Sequence, residues 1–449
     1  MEIWYPAVTA YIEEHRDEIV RDLKALARIP SISKAGKDGL PFGKEVDDAL
    51  TAAAALFTES GIPMTVKHDA GYALAVCEGE GDGIGLFGHA DVVPVNDDWV
   101  KTQPFEPLAE NGVLYGRGVS DNKAGVIACL YALRALKAAG MALKSRLTVY
   151  VGGSEETGME DLDAFVERER MPEVCLIPDS DYPVSVGEKG IVHVMCRSRE
   201  ALTAITRFDG GQAYNVVLDR VTVEIGGETQ VFEGLAAHAA HPERGVNAAH
   251  KAATQLCERT DLCESDRRIL EGLRDTLCGC HGTEVDIFSE GAFGKLSCAN
   301  GIVRIEDGHL VFTLDIRYGN EFDHEAGIAR LAAAMNRRGY ETIVESNSPG
   351  FLLDENSAYM HCILQSYRDA ADRPDAQPYK TYGGTYARLL RNAFAVDHSL
   401  PWDAAALGLP AGHGGAHQSD EALSVEALLG GIKALALALG RLDDCLING

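Results

Sequence analysis

Between Ala10 and Gly190 the chain alternates helical and strand periods, and this alternation limits the possible folds more than any other feature. Apolar residues recur at helical spacing in Val46 to Ser60 (Val46, Leu50, Ala53, Ala54, Phe57) and again in Val126 to Ala139. Short apolar runs stand between and after them: Tyr72 to Cys77, Ile84 to Phe87, Leu147 to Val151 and Val174 to Ile177. The segment Glu78-Gly79-Glu80-Gly81-Asp82-Gly83 separates the first two runs. No helix follows it, as a dinucleotide-binding loop requires, so it reads as a turn. Strands alternating with helices predict an α/β fold with a mainly parallel central sheet flanked by helices. Ligands of such sheets sit beyond the carboxyl ends of the strands.

The pattern changes after Gly190. Strands are predicted at Val192 to Cys196, Val221 to Ile225 and Val311 to Ile316, with helices at Ala248 to Cys257 and Ala326 to Arg338. These describe a separate α+β domain. After about Gln377 glycine-rich turns and small-residue helices return, ending in Val425 to Leu439. A chain of 449 residues exceeds one ordinary core. The expected organisation is one domain in two parts, 1–190 and 376–449, interrupted by an inserted domain, 191–375.

Composition narrows the partners. Forty-one Lys and Arg against 68 Asp and Glu give a formal charge of −27. Such a surface repels nucleic acid and anionic membranes, so neither is expected as a partner. Met1 to Ala27 is charged and amphipathic, with Ile12, Ile19, Leu23 and Leu26 at helical spacing. It lacks the apolar centre of a signal peptide, and no later apolar run suffices to span a bilayer, which favours the cytoplasm. The 11 cysteines are odd in number and scattered in apolar contexts such as Cys77, Cys129, Cys175 and Cys196, as reduced thiols would be. Cys278-Gly279-Cys280-His281 has the form of a small metal motif without its second half, and reads as a loop with incidental thiols.

Chemistry-bearing residues collect where the predicted strands end. Gly88-His89-Ala90-Asp91 closes the Ile84 to Phe87 strand. Residues two apart on a strand face the same way, so His89 is placed to bind a metal while Asp91 fixes its ring. Asp121, in the loop Gly116 to Lys123, either caps the following helix or binds metal. Glu155 and Glu156 follow the Leu147 to Val151 strand. They read either as a solvated acidic turn or as a ligand beside a proton-transfer group. Asp179 follows the Val174 to Ile177 strand, and His417 lies in the loop Gly412 to Gln418. Two histidines and three carboxylates (His89, Asp121, Glu156, Asp179, His417) suit two borderline metals such as zinc, with one carboxylate bridging. Two metals sharing a water lower its pKa and clamp a tetrahedral intermediate, with Glu155 as the natural general base. That is a constellation suited to amide hydrolysis.

In these motifs the chain resembles the di-zinc metallopeptidases that include carnosinase-type dipeptidases, aminoacylases, succinyl-diaminopimelate desuccinylase and glutamate carboxypeptidase. The shared elements are Gly88 to Pro94, the Gly116 to Lys123 loop, Glu155 to Gly158 and Pro178-Asp179. It is most similar to the PepV-type bacterial dipeptidases, through Pro41 to Lys44, Gly187 to Gly190, Gly383 to Arg388 and His417-Gln418. The resemblance implies a zinc-exopeptidase-like catalytic domain interrupted by a lid domain. It implies two Zn²⁺, with Mn²⁺ or Co²⁺ as alternatives. His89 and Asp179 would hold one ion and Glu156 and His417 the other, with Asp121 between them and Asp91 orienting His89.

The remaining roles follow from the same likeness. His238, in Ala237 to Glu243, is the expected oxyanion stabiliser. Asn215 and Arg317 resemble lid residues that grip the substrate, or serve lid folding alone. Thr385 and Arg388 are candidates for the substrate carboxylate, which an arginine matches bidentately. Asn96, Ala124-Gly125 and Gly319 depart from the family's usual Gly, Gly-Pro and Pro, which touches loop geometry and substrate preference rather than the ligands. The expected activity is metal-dependent hydrolysis of dipeptides. Alternatives are a related deacylase, desuccinylase or carboxypeptidase acting on N-acyl amino acids, or a non-catalytic binding protein on the same scaffold. The long insert resembles the monomeric branch, so a monomer is expected, with a dimer as the alternative.

Overall fold

A computed structural model of the chain describes residues 2–37 and 39–448. It divides into two compact units. The first comprises 1–186, 353–379 and 385–449, and the second 187–352 and 380–384.

The first unit is built on a mixed sheet. Its strands are β1 (Met64–Lys67), β2 (Tyr72–Cys77), β3 (Glu80–His89), β4 (Ser145–Gly152), β5 (Val174–Pro178), β6 (Ser185–Glu188) and β7 (Ala393–Val396). The spatial order is β1-β2-β4-β3-β5-β7-β6. The four central strands β4, β3, β5 and β7 run parallel. The flanking pairs β1/β2, β2/β4 and β7/β6 are antiparallel. The expected parallel sheet is thus its centre, edged by antiparallel strands.

Period-two alternation explains how both faces are covered. On β3, Ile84 and Leu86 enter the main core. Phe87 points the other way, onto Tyr150 and Phe165, with ring centroids 5.2 and 5.3 Å apart. The helices are α1 (Tyr5–Glu14), α2 (Arg16–Ala27), α3 (Lys44–Glu59), α4 (Lys123–Ala138), α5 (Glu160–Arg168), α6 (Ala358–Ala371) and α7 (Val425–Asn448). α4 is apolar on almost every side because it lies between β3 and the helices α1, α2 and α7.

The second unit is α+β. Its larger sheet runs Ser297–Ala299, His309–Tyr318, Gly190–Ser198, Tyr340–Ser348, all antiparallel neighbours, with Val303–Glu306 added on His309–Tyr318. A second sheet joins Ile205–Asp209, Arg220–Ile225 and Glu228–Glu233. Ala248–Cys257, Glu264–Leu277 and His324–Arg337 supply helical residues to the same core.

Two expectations shift. The insert was expected to end at 375, but the boundary falls at 352/353. The reason is α6, whose buried Met360, Ile363 and Leu364 join the first unit's core and which packs against α7. The expected turn at Glu78 to Gly83 is shorter, because β3 already begins at Glu80, opposite Ser145, with a register shift before Ile84. Gly83 absorbs that irregularity in the left-handed region, at φ 75°. Among the described residues no helix is long and apolar enough to cross a membrane.

Candidate metal centre

The site is assembled at the carboxyl edge of the parallel strands in the first unit. His89 is the last residue of β3, opposite Gly152, the last residue of β4. Glu155 and Glu156 follow β4 in a short 3-10 turn, Glu155–Thr157. Asp179 follows β5, the other neighbour of β3. Gly152 must be glycine: a Cβ there would lie 1.9 Å from the Tyr386 hydroxyl and 2.2 Å from Asp161 Oδ2. Asp121 precedes α4 but does not cap it. The N-cap is Asn122, and no side chain caps that helix. The Asp121 carboxylate is turned toward the two histidines instead.

These residues converge. His89 Nε2 lies 3.2 Å from Asp121 Oδ1 and 3.4 Å from Asp179 Oδ2. His417 Nε2 lies 3.0 Å from Asp121 Oδ2 and 3.1 Å from Glu156 Oε1. Asp121 therefore offers one oxygen to each histidine. Ligand atoms of His89, Asp121 and Glu156, and of His89, Glu155 and Asp179, fall within 4.8 Å of one another. The backbone of His417 is itself left-handed, at φ 63°, a conformation that an L side chain adopts at some energetic cost.

The electrostatics call for cations. Burial alone would lower the His89 imidazole, but the Asp179 and Asp121 carboxylates outweigh it and raise the group well above its usual range. Bonds to Asp121 and Glu156 raise His417 to about 11. Burial pushes Glu156 up to about 7, with the Asp121 charge adding to the effect. Glu155 is raised by burial and by the surrounding Asp179 and Glu156 charges. The carboxylates thus draw positive charge onto whatever stands among them. His89 Nε2 is fully buried yet makes no aligned hydrogen bond. A buried nitrogen without a hydrogen-bond partner, facing carboxylate oxygens at ligand-like spacing, fits a metal ion.

Asp91 was expected to orient His89; three further supporting residues, Glu421, Asp420 and Asp161, escaped the sequence reading. Glu421 is completely buried and takes four hydrogen bonds. Arg117 Nη1 and Gly118 N donate to one oxygen at 2.8 and 3.1 Å. Ser120 N and Asp121 N donate to the other at 2.7 and 3.0 Å. Burial raises this carboxyl and Arg117 opposes that; with four donors facing it, the carboxylate is the form that fits. Asp420 takes Val100 N and Lys101 N, and lies 2.7 Å from His413 Nδ1. Asp161 takes Gly153 N, Ser154 N and the Tyr386 hydroxyl. Asp91 lies with Oδ1 3.2 Å from His89 Nδ1 and also accepts from Glu155 N and Glu156 N. It holds the ring and the acidic turn together. The available signal was Asp420-Glu421 directly after the His417 loop.

The other candidates are placed as follows. Thr385 accepts from Ala387 N and so caps the short helical turn Tyr386–Leu389, in which Arg388 is half-buried. In the second unit, exposed His238 accepts from Ala240 N through Nδ1, which places the hydrogen of a neutral ring on Nε2. Asn215 is exposed nearby: its carbonyl accepts from Ala239 N at 2.9 Å, and Val216 bridges to His238. Arg317 is buried. Its Nε and Nη2 donate to Asp315 at 3.1 and 3.3 Å, and its Nη1 to the Tyr382 carbonyl at 2.7 Å.

Comparison with known proteins follows the same lines. Residues 85–441 match the family described as Peptidase family M20/M25/M40. A Staphylococcus aureus (strain bovine RF122 / ET3-1) chain that carries a provisional dipeptidase name is 26% identical over 428 residues, covering 86% of this chain and 90% of that one. The structure of the dipeptidase Dug1p from Saccharomyces cerevisiae superposes with a TM-score of 0.67 at 14% identity, over 98% of both chains. Human carnosine dipeptidase 1 superposes with a TM-score of 0.64 at 16% identity, over 99% of both. At such identity these two structures bear on the fold.

Proposed function

The chain belongs to peptidase family M20/M25/M40, and from that premise we propose that it is a metal-dependent dipeptidase. The observation that carries this reading is Asp121, whose two oxygens face His89 and His417 separately. We assign His89 and Asp179 to one ion, Glu156 and His417 to a second, and Asp121 to both. Zinc ions bound there would acidify a water and polarise the scissile carbonyl. The dipeptidase names among the chain's relatives support the choice of substrate class over N-acyl amino acids.

The remaining chemistry belongs to the chain's own side chains. Glu155 takes the proton of the attacking water and returns it to the leaving amine. A carboxyl raised by burial holds that proton long enough to deliver it. Asp91 keeps the turn of Glu155 in place and fixes the His89 ring. His238 is the proposed donor to the oxyanion through Nε2–H. Asn215 and Arg317 are assigned to the substrate-holding segment, Arg317 by way of its bonds to Asp315 and Tyr382. Thr385 and Arg388 are assigned to the substrate carboxylate. We read the protein as a cytoplasmic monomer acting on small peptides.

The deciding experiment is Glu155→Ala. The variant should bind zinc and melt like the parent while kcat for Ala-Ala falls by roughly 10³ or more. Retention of most of the activity removes Glu155 as the base. Faster turnover of N-acyl amino acids than of dipeptides moves the protein to the deacylase reading.

A further inference from the structure

A cleft of about 560 Å³ opens beside Asp179, walled by Asp181, Tyr182, Asp397, His398 and Trp402. The fold builds it from two strand ends. β5 and β7 pair in parallel with Pro178 opposite Val396. The segments 179–182 and 397–402 therefore leave the sheet side by side at its carboxyl edge, next to the metal centre.

The cleft's polar groups are predominantly acceptors. His398 is only 6% exposed. Its Nδ1 lies 3.3 Å from the Pro178 carbonyl oxygen, which can only accept, so Nδ1 carries the hydrogen and Nε2 a lone pair. That Nε2, on the side of the ring away from Pro178, has no hydrogen-bond partner among the described residues, and neither has the buried Tyr182 hydroxyl. Ser399 donates to Asp397 Oδ1 through its backbone N–H at 2.9 Å and its hydroxyl at 3.3 Å. Asp181 is exposed at the rim. Among the described residues no lysine or arginine lines the cleft. Burial pushes the Asp397 carboxyl up to about 7, as expected of an acid lacking a cation.

We propose that this cleft receives a positively charged group on the amino-terminal residue of the substrate. An ammonium brings donors to the lone pair of His398 and to Asp397, and Trp402 adds an aromatic face. The carboxylate end of a peptide would be repelled by Asp181 and by the charged form of Asp397, so the peptide enters this side amino end first. The charged group is either the α-ammonium or a cationic side chain. The inference rests on the peptidase reading of the adjoining centre.

The test is calorimetric titration of the zinc-loaded full chain with L-lysinamide, L-norleucinamide and N-acetyl-L-norleucinamide. Norleucine matches the lysine stem without its ammonium, and acetylation removes the α-charge. Preference for lysinamide over norleucinamide by about tenfold or more places the side-chain cation in the cleft. Preference for norleucinamide over its acetylated form by the same factor places the α-ammonium there. Either preference should shrink to within about twofold in Asp397→Asn. Asp181→Asn, at an exposed position, gives a second reading if Asp397→Asn melts abnormally. Equal binding of the three probes, or a preference that survives both substitutions together, overturns the proposal. Turnover of Ala-Ala is measured separately. Its absence defeats the dipeptidase reading, while the binding data still decide the cleft.

Discussion

Replacing Glu421 by Gln changes one oxygen for an amide in a completely buried position, and both orientations of that amide are bad. If the NH₂ takes the place of Oε2, it meets Arg117 Nη1 and Gly118 N; if that of Oε1, it meets Ser120 N and Asp121 N. Two donors lose their acceptor in either case, and Arg117, 1% exposed, loses its anionic partner. Breaking a buried ion pair costs about 3–5 kcal/mol, and two unsatisfied N–H groups cost about the same. For a unit of roughly 280 residues, about 4 kcal/mol lowers the melting temperature by about 7 °C. The loop that loses its anchor carries Asp121, so zinc affinity should fall by about 10- to 100-fold. Calorimetric melting of the metal-free protein measures the first quantity, and competition with a chelating dye the second. A Glu421→Gln protein that melts with the parent and binds zinc within about twofold of it would refute the reasoning. A lower melting temperature with unchanged zinc binding would refute the link to Asp121 alone.

Asp91→Asn should weaken zinc binding by about tenfold or more, because one of its two oxygens, shared between His89 Nδ1, Glu155 N and Glu156 N, is lost; chelator competition checks it, and unchanged affinity counts against the arrangement. Asp397→Asn should stabilise the metal-free protein at pH 8 and leave it unchanged at pH 4. Folding raises the Asp397 carboxyl from 3.8 to about 7, so between these values the folded chain holds a proton that the unfolded chain has released. Stability therefore falls as pH rises through this window, and the penalty is complete above about pH 7. Three units set a ceiling of about 4 kcal/mol, and with the side chain 18% exposed about 2 kcal/mol is expected. Parallel melting curves at the two pH values would refute it.

What the sequence disclosed followed from periodicity. β2 and Ala248–Cys257 begin and end where their apolar spacing does, and β3, β4 and β5 run past it by a few residues at most. Since strand ends were legible, so were His89, Glu155, Glu156 and Asp179, which the sheet order then places on adjacent strands. The choice between cap and ligand for Asp121 was not legible, because Asp-Asn before a helix serves both purposes. Only the orientation of the carboxylate toward His89 and His417 distinguishes them. The segment that forms α6 fell within the expected insert, because no helix was read there and nothing local in it says which core it covers. Arg317 was legible as a residue type but not as one already engaged by Asp315 and Tyr382.

Glu421 and Asp420 were hidden for a deeper reason, which the backbone partners of Asp91 share. Each acid binds backbone N–H groups far away in the chain: Asp91 and Glu155 are 64 residues apart, Glu421 and Asp121 300, Asp420 and Val100 320. Backbone donors exist at every residue but proline, so no motif marks the partner of such a carboxylate. The arrangement is nonetheless economical. Ligand-bearing loops at a sheet edge have no ladder to fix them, and a buried carboxylate accepting two or more N–H groups does so with a charge-assisted bond at each donor. It also surrounds an acidic centre with further acids whose charges are already met by backbone dipoles, leaving Asp121, Glu156 and Asp179 to be met from outside the chain. Removing one support should then loosen a ligand remote in sequence, whereas an exposed acid such as Glu345 has no such reach.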